Sequence, residues 1–117
     1  MEKPQSPLEQ ILRISRESSI RGAGTSLRDA IAAARYRELR PSFTPSDFVP
    51  SIQANPALVR DWLMYSEDKR TSGGWYLLES GELGQIASEV RLRFPSIEVA
   101  VAEYVVRELD FWAGIAG

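Results

Sequence analysis

The chain has 117 residues, 44% of them hydrophobic and 26% charged, with a net charge of −2 and neither cysteine nor histidine. That length suits one domain around one core, and no apolar run approaches the roughly 18 residues that cross a bilayer. Without imidazole or thiol groups, Ser-His and Cys-His nucleophiles, thiolate chemistry and the usual zinc and haem ligands are closed, which leaves carboxylate, lysine, tyrosine or magnesium chemistry.

The opening MEKPQSPLEQ has no apolar stretch after Lys3 and does not read as a secretory signal, so a cytoplasmic location is expected, with residues 1–6 an unanchored tail. Ser6 as cap and Pro7 in the first helical position predict a helix over 7–20 with Leu8, Ile11, Leu12 and Ser15 on one face. Gly22 and Gly24 interrupt it. Thr25 or Ser26 caps a second helix, which carries a narrow stripe of Leu27, Ala30, Ile31 and Ala34 and stops near Arg40, before Pro41. Prolines at 41, 45, 50 and 56 then allow at most one short turn, with Thr44 capping, Pro45 first and Asp47 third, pinned by Phe43, Phe48 and Val49.

Asn55-Pro56 starts a helix with Leu58, Val59, Trp62 and Leu63 at helical spacing, which leaves through SEDKR and ends at Gly73-Gly74. WYLLE has strand propensity, Ser80-Gly81 marks a hairpin turn, and ELGQIAS returns. EVRLRF alternates, placing Val90, Leu92 and Phe94 on one side and Arg91 and Arg93 on the other, either as a third strand or as a bulged continuation of the second. Pro95 and Ser96 open a last helix whose Ile97, Ala100, Val101, Tyr104, Val105 and Trp112 form the broadest apolar face in the chain. The expected fold is α+β over 1–117. It has four helical segments, an antiparallel hairpin or three-stranded meander, and a C-terminal helix packed on the sheet.

Motifs of catalysis are thin. Ser66 and Lys69 have the S-x-x-K spacing of serine acylases, but the companion motifs of those folds are missing. Glu67, Asp68 and Lys69 match the E-x-K ending of magnesium-dependent nucleases, yet they sit at a helix end where that motif belongs on a strand. GAGTS at 22–26 lacks the lysine and spacing of a phosphate-binding loop. No enzyme, cofactor or metal site is therefore expected, with a magnesium hydrolase on Glu67, Asp68 and Lys69 as one alternative. Residues 1–46 hold eight basic and five acidic side chains, against six and eleven in 47–117. Arg13, Arg16, Arg21, Arg28, Arg35, Arg37 and Arg40 could line a basic face, but a pI near 5.2 speaks against nucleic acid.

The aromatics point to a protein partner. Trp75 and Tyr76 are adjacent on a strand and so face opposite ways; one of them faces outward. With Tyr65, Glu67, Asp68, Arg70, Glu79 and Glu82 nearby in sequence, an exposed aromatic makes a protein-binding patch, since Trp, Tyr and Arg dominate interface energetics. YSEDKRTSGGWYLL, the hairpin after it and VAVAEYVVREL resemble small bacterial immunity-type proteins, which neutralise a toxin domain by binding it. The resemblance spans about residues 65–110 and assigns no residue a role. It implies a non-enzymatic cytoplasmic inhibitor whose Glu67, Asp68, Glu79 and Glu82 face a basic toxin. A homodimeric scaffold using its sheet edge or last helix is the other alternative.

Overall fold

The computed structural model describes residues 6–18, 26–68 and 73–115. The expectations made for the N-terminal tail, for the glycines at 22 and 24, and for Arg21, Lys69 and Arg70 lie outside the described residues, the tail's Ser6 excepted.

Ser6 accepts a hydrogen bond from the Glu9 amide at 3.2 Å, and Pro7 begins helix α1, Pro7–Leu12. The chain restarts one residue later as α2, Ile14–Ser18, so the continuous helix expected from residue 7 is broken at Arg13. The cause lies 50 residues away. The Trp62 indole N–H donates to the Leu12 carbonyl at 2.9 Å, and the Arg16 amide bonds Arg13 instead of Leu12.

A second correction follows the same pattern. Ser26 caps α3, Leu27–Ala33, by accepting from the Asp29 amide, but the chain turns at Arg35 into the left-handed region with φ 56° and ψ 39°. That conformation costs a residue with a Cβ roughly 1–2 kcal/mol. The turn redirects α4, Tyr36–Leu39, so that the Tyr36 ring is fully buried and its hydroxyl donates to Asp110 Oδ1 at 2.6 Å. A 3-10 turn at Arg40–Ser42 carries Pro41, past the point where the helix was expected to stop.

The proline-rich connector is also more helical than expected. A 3-10 turn over Pro45–Phe48 has the Asp47 carboxylate accepting from the Thr44 amide at 2.7 Å, and it runs directly into α5, Val49–Ala54. Pro50 is compatible because it sits in the first turn, where its missing N–H would have had no intrahelical partner. Phe43, Phe48 and Ile52 anchor the segment in the core, with the Phe43 and Phe48 rings edge-on at 5.0 Å.

Helix α6, Ala57–Asp68, buries Leu58, Trp62 and Tyr65. Strands β1, Trp75–Leu77, β2, Glu82–Gln85, and β3, Arg91–Arg93, form an antiparallel meander in the order β1-β2-β3, which resolves the strand count left open by the sequence. Tyr76 pairs with Gly84 and Leu83 with Leu92. Ser96 caps α7, Ile97–Ala113, which ends at Gly114 in the left-handed conformation, its carbonyls taken by the Gly114 and Ile115 amides. Helix α7 packs against β1, α5, α6 and the Pro45–Phe48 turn, and so holds the centre of the core. Its Val101, Val105 and Leu109 are fully buried, each contributing about 1.5–3 kcal/mol.

Candidate functional site

Two carboxylates on α7 are buried, Glu108 and Asp110, and neither is among the contact residues expected from the sequence. Glu108 is 0% exposed because it falls in register with the apolar stripe, four residues from Tyr104 and three from Val105. Its Oε1 accepts from the Trp75 amide at 2.8 Å; its Oε2 accepts from the Tyr65 hydroxyl at 2.9 Å and from the Trp112 indole at 3.1 Å. A charged residue at a core position of an amphipathic stripe is itself a signal, since a buried carboxylate requires donors around it. Asp110 lies on another side of the helix, where Tyr36 donates to it and Arg40 forks onto both oxygens, Nε to Oδ1 at 2.8 Å and an Nη to Oδ2 at 3.1 Å. The hydrogen bond to Asp110 holds the Arg40 pKa above its usual value.

The work of Glu108 is to close a sheet edge. In the β1–β2 register the N–H and C=O groups of Trp75 and Leu77 point away from β2, toward an edge that has no strand among the described residues. All four groups meet side chains. Trp75 donates to Glu108 and accepts from the Tyr104 hydroxyl at 3.0 Å; Leu77 donates to Ser66 Oγ at 2.8 Å, and its carbonyl accepts from the same hydroxyl at 3.3 Å. Burial, and after it the charge on Glu108, pushes the pKa values of Tyr65 and Tyr104 far above that of a free tyrosine. Both hydroxyls stay protonated and able to donate.

The other face of the sheet is open and differently built. Tyr76 lies flat over Gly84, with ring atoms 2.2 Å from where a Cβ would sit, so this position accepts only glycine while the ring stays there. Arg91 stacks on the same ring at 5.5 Å, and its Nη1 donates to the Ser88 and Val90 carbonyls at 3.0 and 2.8 Å. The Tyr76 hydroxyl donates to Glu82 at 3.3 Å, and Arg93 lies 3.8 Å from the same carboxylate. Leu78, 46% exposed, follows Tyr76 on this side of the hairpin.

The expected contact residues therefore divide. Tyr76 and Glu82 share the outer sheet face, and Glu79 is exposed in the hairpin turn. Glu67 and Asp68 end α6 one and two residues beyond Ser66, whose bond to Leu77 holds that helix end against the hairpin. Tyr65 and Trp75, both candidates for the contact patch, are core residues, so of the adjacent pair it is Tyr76 that faces outward. Trp75 is covered by the Arg107 guanidinium at 5.0 Å. Arg70 is outside the described residues.

Among the described residues no three acidic side chains come together as a metal site, and Glu67 and Asp68 lie in the last turn of a helix. Of the arginines read as a basic face, Arg16 pairs with Asp61 at 2.7 Å, Arg35 with Glu38, and Arg40 with Asp110. Trp112, expected on the buried stripe, is 38% exposed beside Phe111 at 43%, although its indole N–H still reaches the buried Glu108. Comparison of the chain with family models, curated proteins and solved structures finds no match.

Proposed function

We propose that this chain is a protein-binding domain of the toxin-neutralising immunity type, which contacts its target through the hairpin and the outer face of the sheet. The observation that carries the reading is Tyr76. It is an aromatic side chain on the solvent face of a sheet, held in one orientation by Gly84 beneath it, Arg91 against it and Glu82 at its hydroxyl. A tyrosine fixed in advance loses little side-chain entropy on binding, the property expected of an interface anchor. Leu78 adds apolar area beside it, and the end of α6 and the hairpin carry Glu67, Asp68, Glu79 and Glu82, carboxylates that would face a basic target.

The test is copurification with the product of a neighbouring toxin-bearing gene, followed by titration calorimetry. Tyr76→Ala is expected to weaken the complex at least tenfold, and charge reversal at Glu67, Asp68, Glu79 and Glu82 to slow association, most strongly at low salt. A complex that tolerates all five changes removes the hairpin face from the interface.

A further inference from the structure

The edge of β3 leaves main-chain groups unused among the described residues. Leu92 pairs with Leu83, the Val90 carbonyl accepts from the Gln85 amide at 3.4 Å, and the Phe94 amide donates to the Gly81 carbonyl at 3.3 Å. By alternation, the N–H and C=O groups of Arg91 and Arg93 point the other way, to the outside of the sheet. Among the described residues nothing bonds to these four groups, in contrast to the four on β1. Two features say what would fit there. Arg91 and Arg93 are exposed and lie on one face of the strand, so a strand added alongside would place alternate side chains opposite two guanidinium groups. A second copy fits badly, because antiparallel pairing about Leu92 sets Arg91 of each chain against Arg93 of the other, four cations on one face.

We propose that β3 binds a partner protein by strand addition, selecting an extended segment with acidic side chains at alternate positions, Glu-x-Glu or Asp-x-Asp. The main-chain ladder supplies the attachment and the two arginines supply the choice. Arg91 now lies against the Tyr76 ring and the Ser88 and Val90 carbonyls, and Arg93 lies 3.8 Å from Glu82, so both guanidinium groups turn outward from these contacts to meet the carboxylates of an added strand. The inference rests on the main-chain geometry of this edge, and because Arg91 also braces Tyr76, the control peptides, which leave the chain unaltered, separate it from the reading of the hairpin face.

The probe is a blocked heptapeptide, Thr-Glu-Val-Glu-Val-Glu-Thr, titrated into the 15N-labelled full chain. Two control peptides accompany it. One carries N-methyl groups on the three glutamate amides, which removes ladder hydrogen bonds and keeps the charge; the other has lysine in place of glutamate. The expected result is that the largest amide shifts fall on Arg91 and Arg93, and that affinity drops at least tenfold for either control peptide and for the Arg91→Glu/Arg93→Glu chain. Equal binding of the N-methylated peptide would reduce the site to bulk electrostatics and overturn the proposal. So would shifts centred elsewhere, no binding at millimolar peptide, or a chain that dimerises through β3 and excludes the peptide. Because both control peptides act on the unaltered chain, the outcome does not depend on how the double variant folds.

Discussion

Among the described residues, strands β1 and β3 each have one side without a strand partner, and the molecule finishes the two sides in opposite ways. At β1 the four outward main-chain groups meet Ser66, Tyr104 and Glu108, side chains supplied by two helices. At β3 the corresponding groups of Arg91 and Arg93 have no such partners among the described residues, and only charged side chains guard the strand. The difference shows what burial demands. β1 is covered by α6 and α7, so an unmade hydrogen bond there would carry the full desolvation penalty, whereas at β3 water can satisfy the backbone. A buried carboxylate at the first edge and a pair of exposed arginines at the second are two solutions to one problem, unpaired strand backbone.

The tyrosines separate the two regions most strongly. Tyr65 and Tyr104 on the β1 side, and Tyr36 beside Asp110, have pKa values raised by burial above the unfolded value of about 10, so the folded protein holds protons that the unfolded chain releases. Their contribution is fully present below pH 10 and is lost as pH climbs toward their folded pKa values, at roughly 1 kcal/mol per pH unit for each tyrosine. Absorbance at 295 nm should show Tyr76 ionising first and the other three only together with unfolding. A smooth four-tyrosine titration with the fold intact would contradict the closed edge.

Glu108→Ala strikes the closed edge directly. It leaves the Trp75 amide, the Tyr65 hydroxyl and the Trp112 indole without this acceptor, and the expected loss is about 3–5 kcal/mol. In urea the midpoint should fall by at least about 1 M, and a shift under about 0.3 M would mean that the edge is held by packing alone.

The smaller effects sharpen the contrast. Ser66→Ala removes both bonds to Leu77 and should cost about 1–2 kcal/mol, with faster hydrogen exchange at the Leu77 amide. Arg93→Ala should stay within about 0.5 kcal/mol, since its pair with Glu82 is long and exposed. In the unaltered chain the Trp75 and Leu77 amides should exchange slowly, and those of Arg91 and Arg93 rapidly. Similar protection at all four would erase the distinction between the two edges.

Features carried by a few adjacent residues were legible in the sequence. Ser6, Ser26 and Ser96 act as caps, Thr44-Pro45-Asp47 forms its turn, Ser80-Gly81 turns the hairpin, and the alternation from Val90 to Phe94 puts both arginines on the solvent side. The breaks at Arg13 and Arg35 were not legible, because the Trp62 indole and the Asp110 carboxylate that explain them lie 49 and 75 positions further along the chain. The site was read in halves. Alternation placed either Trp75 or Tyr76 outside, but only the packing of α6 and α7 put Trp75 inside and drew Tyr65 down to Glu108.

By itself, then, the amino-acid order determined most caps and turns, the strands of the meander, the existence of the final helix, and a chemistry without imidazole or thiol, since these depend on backbone preference, on side-chain period and on which groups are present at all. Tertiary structure decided where helices break, which aromatics are buried, and which strand edge is finished by side chains and which is left open. Those outcomes turn on hydrogen bonds and burial between residues far apart in the chain, and a carboxylate such as Glu108 becomes a structural acceptor only when three separate elements bring their donors to it.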